Sequence, residues 1–182
     1  MKRLLYICSV LLILASCHDL KKQKQLERID KMLSGLRELD DIQAAFERDS
    51  VIVLIDSMKT LRAEIAVLCE NDTINKEVAQ QLEDYKTGLR ALQKFNKNDS
   101  IFLRLLNEER NTLHALKLDI AQGNGDRSSY SKSISFEEKK YKTILTLGTK
   151  NKHHYTIGMR YFYAINPEMI QYKDHLTATT GI

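Results

Sequence analysis

Tryptophan is absent from this 182-residue chain, proline occurs once and glycine seven times. So few turn-forming residues exclude a β-rich fold built on many tight turns and favour long helices. Cysteine is scarce: Cys8, Cys17 and Cys69. Two of them lie in the first seventeen residues, and Cys69 alone cannot close an intrachain disulfide in the remainder. It is expected either on the buried seam of a helix or in a disulfide with a second chain. A strong charge of one sign is missing too. The 28 basic residues face 24 acidic ones, and this near balance gives no argument for a nucleic-acid partner. The longest apolar run, Leu4 to Ala15 with Ser9 inside it, falls short of the roughly 20 residues a membrane-spanning helix needs.

Patterns that carry chemistry are missing as well. The chain has no glycine-rich phosphate loop, no nucleophile elbow and no Glu-x-x-His pair of the helical di-iron kind. His153 and His154 are adjacent, whereas helical metal ligands prefer spacings of three or four, so a solvated turn is expected there. His114 is a lone histidine in an apolar-rich stretch and is expected at a core edge. Asp40-Asp41 and Glu108-Glu109 are neighbours in sequence and are not expected to share a helical face. The chain therefore reads as a non-enzyme, with no cofactor and no metal.

What is present begins at the N-terminus. Lys2 and Arg3 precede the short apolar run, which stops at Leu14-Ala15-Ser16-Cys17 before the polar stretch His18-Asp19-Leu20-Lys21-Lys22. A positive start, a short apolar middle and a small-residue end are the parts of a secretory signal. The Leu-Ala-Ser-Cys ending resembles the lipobox of bacterial lipoproteins. That resemblance implies a signal at residues 1–16, cleavage before Cys17, and acylation of Cys17 as the first residue of a 166-residue mature chain. Several acyl chains give durable membrane anchoring where one does not. In some gut bacteria an acidic cluster after the cysteine marks export to the cell surface. One acid and two lysines depart from that pattern, and the expectation is a periplasm-facing protein of the outer membrane. Residues 17–25 would be a tether, or simply a solvated helix start.

Helical periodicity starts at Leu26. Leu26, Ile29, Leu33 and Leu36 step by three and four, followed by Leu39, Ile42 and Phe46. Val51, Leu54, Met58, Leu61, Ile65 and Leu68 continue the spacing. Further stripes run Ile74, Val78, Leu82, Tyr85, Leu89, Leu92 and Phe102, Leu105 or Leu106, Leu113, Leu116, Ile120. Such stripes mark core-facing helices and also suit coiled-coil seams. Similar tripeptides, Asp49-Ser50-Val51, Asp72-Thr73-Ile74 and Asp99-Ser100-Ile101, are read as helix starts. The first is the weakest break, so residues 26–70 are one helix or two. The tripeptides also resemble the O-glycosylation motif of exported proteins in one group of Gram-negative gut bacteria. That resemblance marks Ser50, Ser57, Thr73 and Ser100, of which Ser57 alone lies away from a cap position.

Gly123 reads as a helix stop, and the serine-rich stretch to Ser135 as a flexible linker (residues 123–135). Beyond it, residues 136–182 are basic and aromatic: eight of the 13 aromatic side chains follow residue 123. Ser135-Phe136-Glu137-Glu138 forms a capping-box pattern for a helix ending near Gly148. Residues 155–165 suit a strand or a helix. Asn166-Pro167-Glu168 reads as a further helix start. Tyr155, Arg160, Tyr161, Phe162 and Tyr163 form either a contact surface or a core cap.

The sequence thus predicts a mainly-α fold. It would be an antiparallel helical bundle over residues 26–122, or a long coiled-coil-like hairpin, with a small C-terminal appendage. The function it suggests is a membrane-anchored envelope lipoprotein acting as an adaptor or structural subunit. Its partners would be the membrane, through the lipid, and an envelope protein or a second copy. The alternative is a periplasmic sensor or small-ligand-binding helical module, which needs a pocket with convergent polar groups.

Overall fold

The computed structural model describes the backbone of residues 2–69, 74–124 and 129–180, with side chains from residue 20 to 179 within those ranges. Four helices and no strand occur among the described residues: α1 (Lys2–Ala44), α2 (Arg48–Leu68), α3 (Lys76–Gln122) and α4 (Tyr130–Thr180). Among the described residues no helix is long and apolar enough to cross a membrane. The mainly-α helical bundle expected from the sequence is what forms. The described part of the 26–70 stretch is two helices, parted at 45–47.

The chain divides into two compact units. Unit 1 comprises Met1–Asp41 and Arg104–Thr146. Its helices meet along α1, the end of α3 and the start of α4. The register follows from the contacts. Lys22, Asp30 and Asp40 on α1 reach Ala121, Lys117 and Arg110 on α3, so these two run antiparallel. Gln25 and Arg28 reach Ser131 and Glu138 on α4, so those two run parallel. Ile29, Met32, Leu36, Leu106, Leu113, Ile134 and Ile144 fill the core. Two carboxyl groups also lie inside it. Glu109 is 3% exposed and Glu137 is buried, with Lys140 Nζ at 3.7 Å from the first and 2.9 Å from the second. Burial and the neighbouring Glu137 raise Glu109 to about 7, against the opposing pull of Lys140.

Unit 2 comprises Ile42–Leu103 and Leu147–Ile182. Here α2 is the helix parallel to α4, as Lys173 near Glu64 and Cys69 near Tyr172 show at one end and Glu47 near Tyr155 at the other. Its core joins Val51, Met58 and Ile65 to Tyr85, Leu92 and Phe95, and to Met159 and Met169. Cys69 is buried, 3.4 Å from the Tyr172 hydroxyl. One layer of this core is polar. The Asp99 carboxylate accepts from Arg48 Nε at 2.6 Å and from Asn151 Nδ2 at 3.0 Å, while Arg48 also donates to the side-chain oxygen of Gln43. Asp99 is 6% exposed and Asn151 is 1% exposed.

Several expected helix boundaries are displaced, each for a physical reason. The start read at Asp99-Ser100 is interior to α3. The Asp99 side chain that would have capped it is committed to Arg48 and Asn151. The start read at Asp72-Thr73 lies at residues outside those described; α3 is capped by Asn75, whose Oδ1 accepts the Val78 N–H at 2.9 Å. The cap of α2 is Glu47, without a side-chain bond, and Asp49 sits in the first turn. Gly123 does end α3. Its φ of 74° turns the chain, and the Asn124 N–H returns to the Asp119 carbonyl at 3.0 Å, the bond of a Schellman stop.

The C-terminal differences are larger. The linker expected over 123–135 is shorter, because α4 starts at Tyr130, and Tyr130 and Ile134 are buried. Residues 125–128 lie outside those described. Ser135 is inside the helix, donating to the Ser131 carbonyl at 2.9 Å, and Glu138 is paired with Arg28. No helix ends at Gly148, residues 155–165 are helix and not strand, and Pro167 is interior to α4. The 136–182 region expected as an appendage belongs to the single helix α4, whose residues up to Thr146 are part of unit 1 and those from Leu147 part of unit 2. The expected tether is also helical where its side chains are described, and Gln25 within it is buried.

Candidate interaction surface

The aromatic segment of α4 belongs to unit 2 and divides between core and surface. Helical geometry decides which side chain goes where. Tyr155, Gly158, Phe162 and Ile165 step by three and four on the inward face, so Arg160, Tyr163 and Ala164 face out. Tyr155 stacks on Phe46 at 4.4 Å between ring centres and lies 5.1 Å from Phe95. Its hydroxyl accepts the Glu47 N–H at 3.4 Å. Tyr161 and Phe162 are partly buried against the same core. A Cβ at Gly158 would sit 2.4 Å from Leu92 Cδ2, so α3 and α4 approach closely here. Tyr155, Tyr161 and Phe162 therefore take the core role.

The outward side carries the surface. Arg160 Cζ lies 5.3 Å from the Tyr161 ring centre, in cation–π range. Tyr163 is 67% exposed and meets Phe162 edge-on at 5.5 Å. Arg160, Tyr163, Pro167 and Ile170 form one exposed stripe at three- and four-residue steps. Pro167 has no N–H to give the Tyr163 carbonyl four residues earlier. The usual bond to that carbonyl is therefore missing. Asn166, expected as a cap, instead accepts from the buried Tyr85 hydroxyl at 2.6 Å, and burial raises Tyr85 to about 12. Glu168 accepts from Gln81 at 2.7 Å. These two bonds tie the inner side of the turn to α3 and leave the outer stripe unencumbered. Pro167 and Ile170 were legible only once this segment is taken as uninterrupted helix.

The other expected positions fall as follows. Ser50, Ser57 and Ser100 are exposed on helices, while Thr73 and the Cys17 side chain lie outside the described residues. His153 is exposed. His154 is half-buried, and burial with nearby Lys94, His153 and Lys150 holds it below its ordinary value. No cluster of three or more metal-ligating side chains occurs among the described residues. His114, expected at a core edge, is exposed and lines a cleft of unit 1. An aromatic ring, a guanidinium and an isoleucine on one stripe can hold a partner surface. No protein-family model, curated protein or solved structure matches the chain.

Proposed function

We propose that this chain is a lipid-anchored envelope protein, facing the periplasm from the outer membrane and acting without catalysis as an adaptor or structural subunit. Leu14-Ala15-Ser16-Cys17 supports the anchor. The observation that carries the adaptor role is the exposed stripe on α4, where Tyr163 stands two-thirds open to solvent beside Arg160 and Ile170. Tyrosine and arginine are the side chains that concentrate binding energy at protein interfaces. The partner is a second envelope protein or another copy of the chain.

The test is in-cell crosslinking followed by affinity purification from the membrane fraction. The chain is compared with a Tyr163→Ser/Ile170→Ser variant, whose substitutions lie on the exposed stripe. A stoichiometric partner that disappears with the variant supports the adaptor reading. An unchanged set of crosslinks, or none, overturns it. A Cys17→Ser variant tests the anchor separately: it should move the chain from the membrane to the soluble fraction, and retention in the membrane overturns the lipid reading.

A further inference from the structure

Unit 1 contains a cleft of about 470 Å³ between α1 and α3. Its size falls in the range of small-molecule sites, roughly 300–1,000 Å³. Ion pairs bracket it. Asp30 with Lys117 closes one side and Asp40 with Arg110 the other, each joining α1 to α3. Between them Ser34, Arg37 and His114 face the same space. None of these three makes a side-chain hydrogen bond or ion pair among the described residues. The two carboxylates are already matched by the lysine and the second arginine. Arg37 is therefore the excess charge of the cleft. Leu33 gives it one apolar wall.

We infer that this cleft binds a small organic anion, held by Arg37, His114 and Ser34. A guanidinium presents a planar fork of donors that matches two oxygens of a phosphate or carboxylate. Ser34 and His114 supply donors from the neighbouring turn of α1 and from α3. A bare inorganic ion would leave most of the volume empty, and Leu33 favours a ligand with an apolar body. The bracketing pairs hold the two helices in register before the ligand arrives, which lowers the ordering cost of binding.

The experiment uses the full chain in neutral detergent, with phenyl phosphate and benzoate as probes at constant ionic strength. The side-chain resonances of Arg37 and His114 are followed by NMR. Saturable shifts confined to these residues, with either probe, support the inference, and the stronger probe assigns the anion as phosphate or carboxylate. Arg37→Gln should weaken binding about tenfold or more, since a charged donor is lost. His114→Gln should weaken it less. Arg37 and His114 are exposed and bond to nothing else, so both variants should keep the native spectrum. Shifts that fail to saturate, that chloride reproduces, or that persist unchanged in Arg37→Gln overturn the inference.

Discussion

Glu109 and Glu137 put two carboxyl groups into the core of unit 1 with one lysine between them and water. The consequence for stability has a definite sign. A carboxyl whose folded value is raised stabilises the fold most when protonated in both states, below about 4.5. That contribution falls as pH rises through the interval to about 7, the value burial and Glu137 impose on Glu109. Glu109→Gln should therefore flatten the stability profile between pH 5 and 7.5 by on the order of 2 kcal/mol, read as urea midpoints at the two pH values. An equal slope in wild type and variant would show that burial does not raise Glu109 as described. Asp99 differs in having its side chain fully engaged by partners from two other helices. Arg48→Met leaves that buried carboxylate with Asn151 alone and should cost about 1–3 kcal/mol by urea unfolding. The sequence pointed to neither pair. Asp99 looks like a cap when read beside Ser100, and Glu109 looks like half of a surface doublet.

On the scale of the helix, α4 explains why some of the fold was legible and some was not. Tyr130, Ile134, Glu137, Tyr141, Ile144, Gly148, Asn151, Tyr155, Gly158, Phe162, Ile165, Met169, Tyr172 and Leu176 alternate steps of four and three without a fault. That is a heptad seam. Reading only apolar residues hides it, because two glycines, a glutamate and an asparagine occupy seam positions. The glycine and proline signals then read as ends of helices that the packing carries through. α3 hid its continuity in the same way behind Asp99, whereas Gly123, a true stop with positive φ, was legible. Two substitutions probe these positions. Gly158→Ala drives a methyl against Leu92 and should cost about 1–3 kcal/mol, with thermal unfolding as the measure. Pro167→Ala returns an N–H to the Tyr163 carbonyl at an exposed site. It should raise stability by about 1–2 kcal/mol after the gain in unfolded-state freedom is deducted; no gain would mean that carbonyl already has a partner.

At the scale of the whole molecule, each unit needs α4. A chain ending at Gly125 would keep the helix-forming sequence of α1, α2 and α3 and yet lose one wall from both cores. It should retain helical circular dichroism only weakly and lose its sigmoidal urea transition; a cooperative transition in the truncated chain would show that α4 is dispensable. The polar layer of Gln43, Arg48, Asp99 and Asn151 has a further consequence. A seam of interchangeable leucines and isoleucines is a ruler without numbers: slide one helix by seven residues and the same kind of side chain meets the same kind of hole. Asp99 is a mark on that ruler. Shifted by one repeat, it would face apolar neighbours while Arg48 and Asn151 lost this acceptor, so only one alignment of α2, α3 and α4 brings all three together. The layer therefore gives unit 2 an address for each helix that its apolar residues cannot encode.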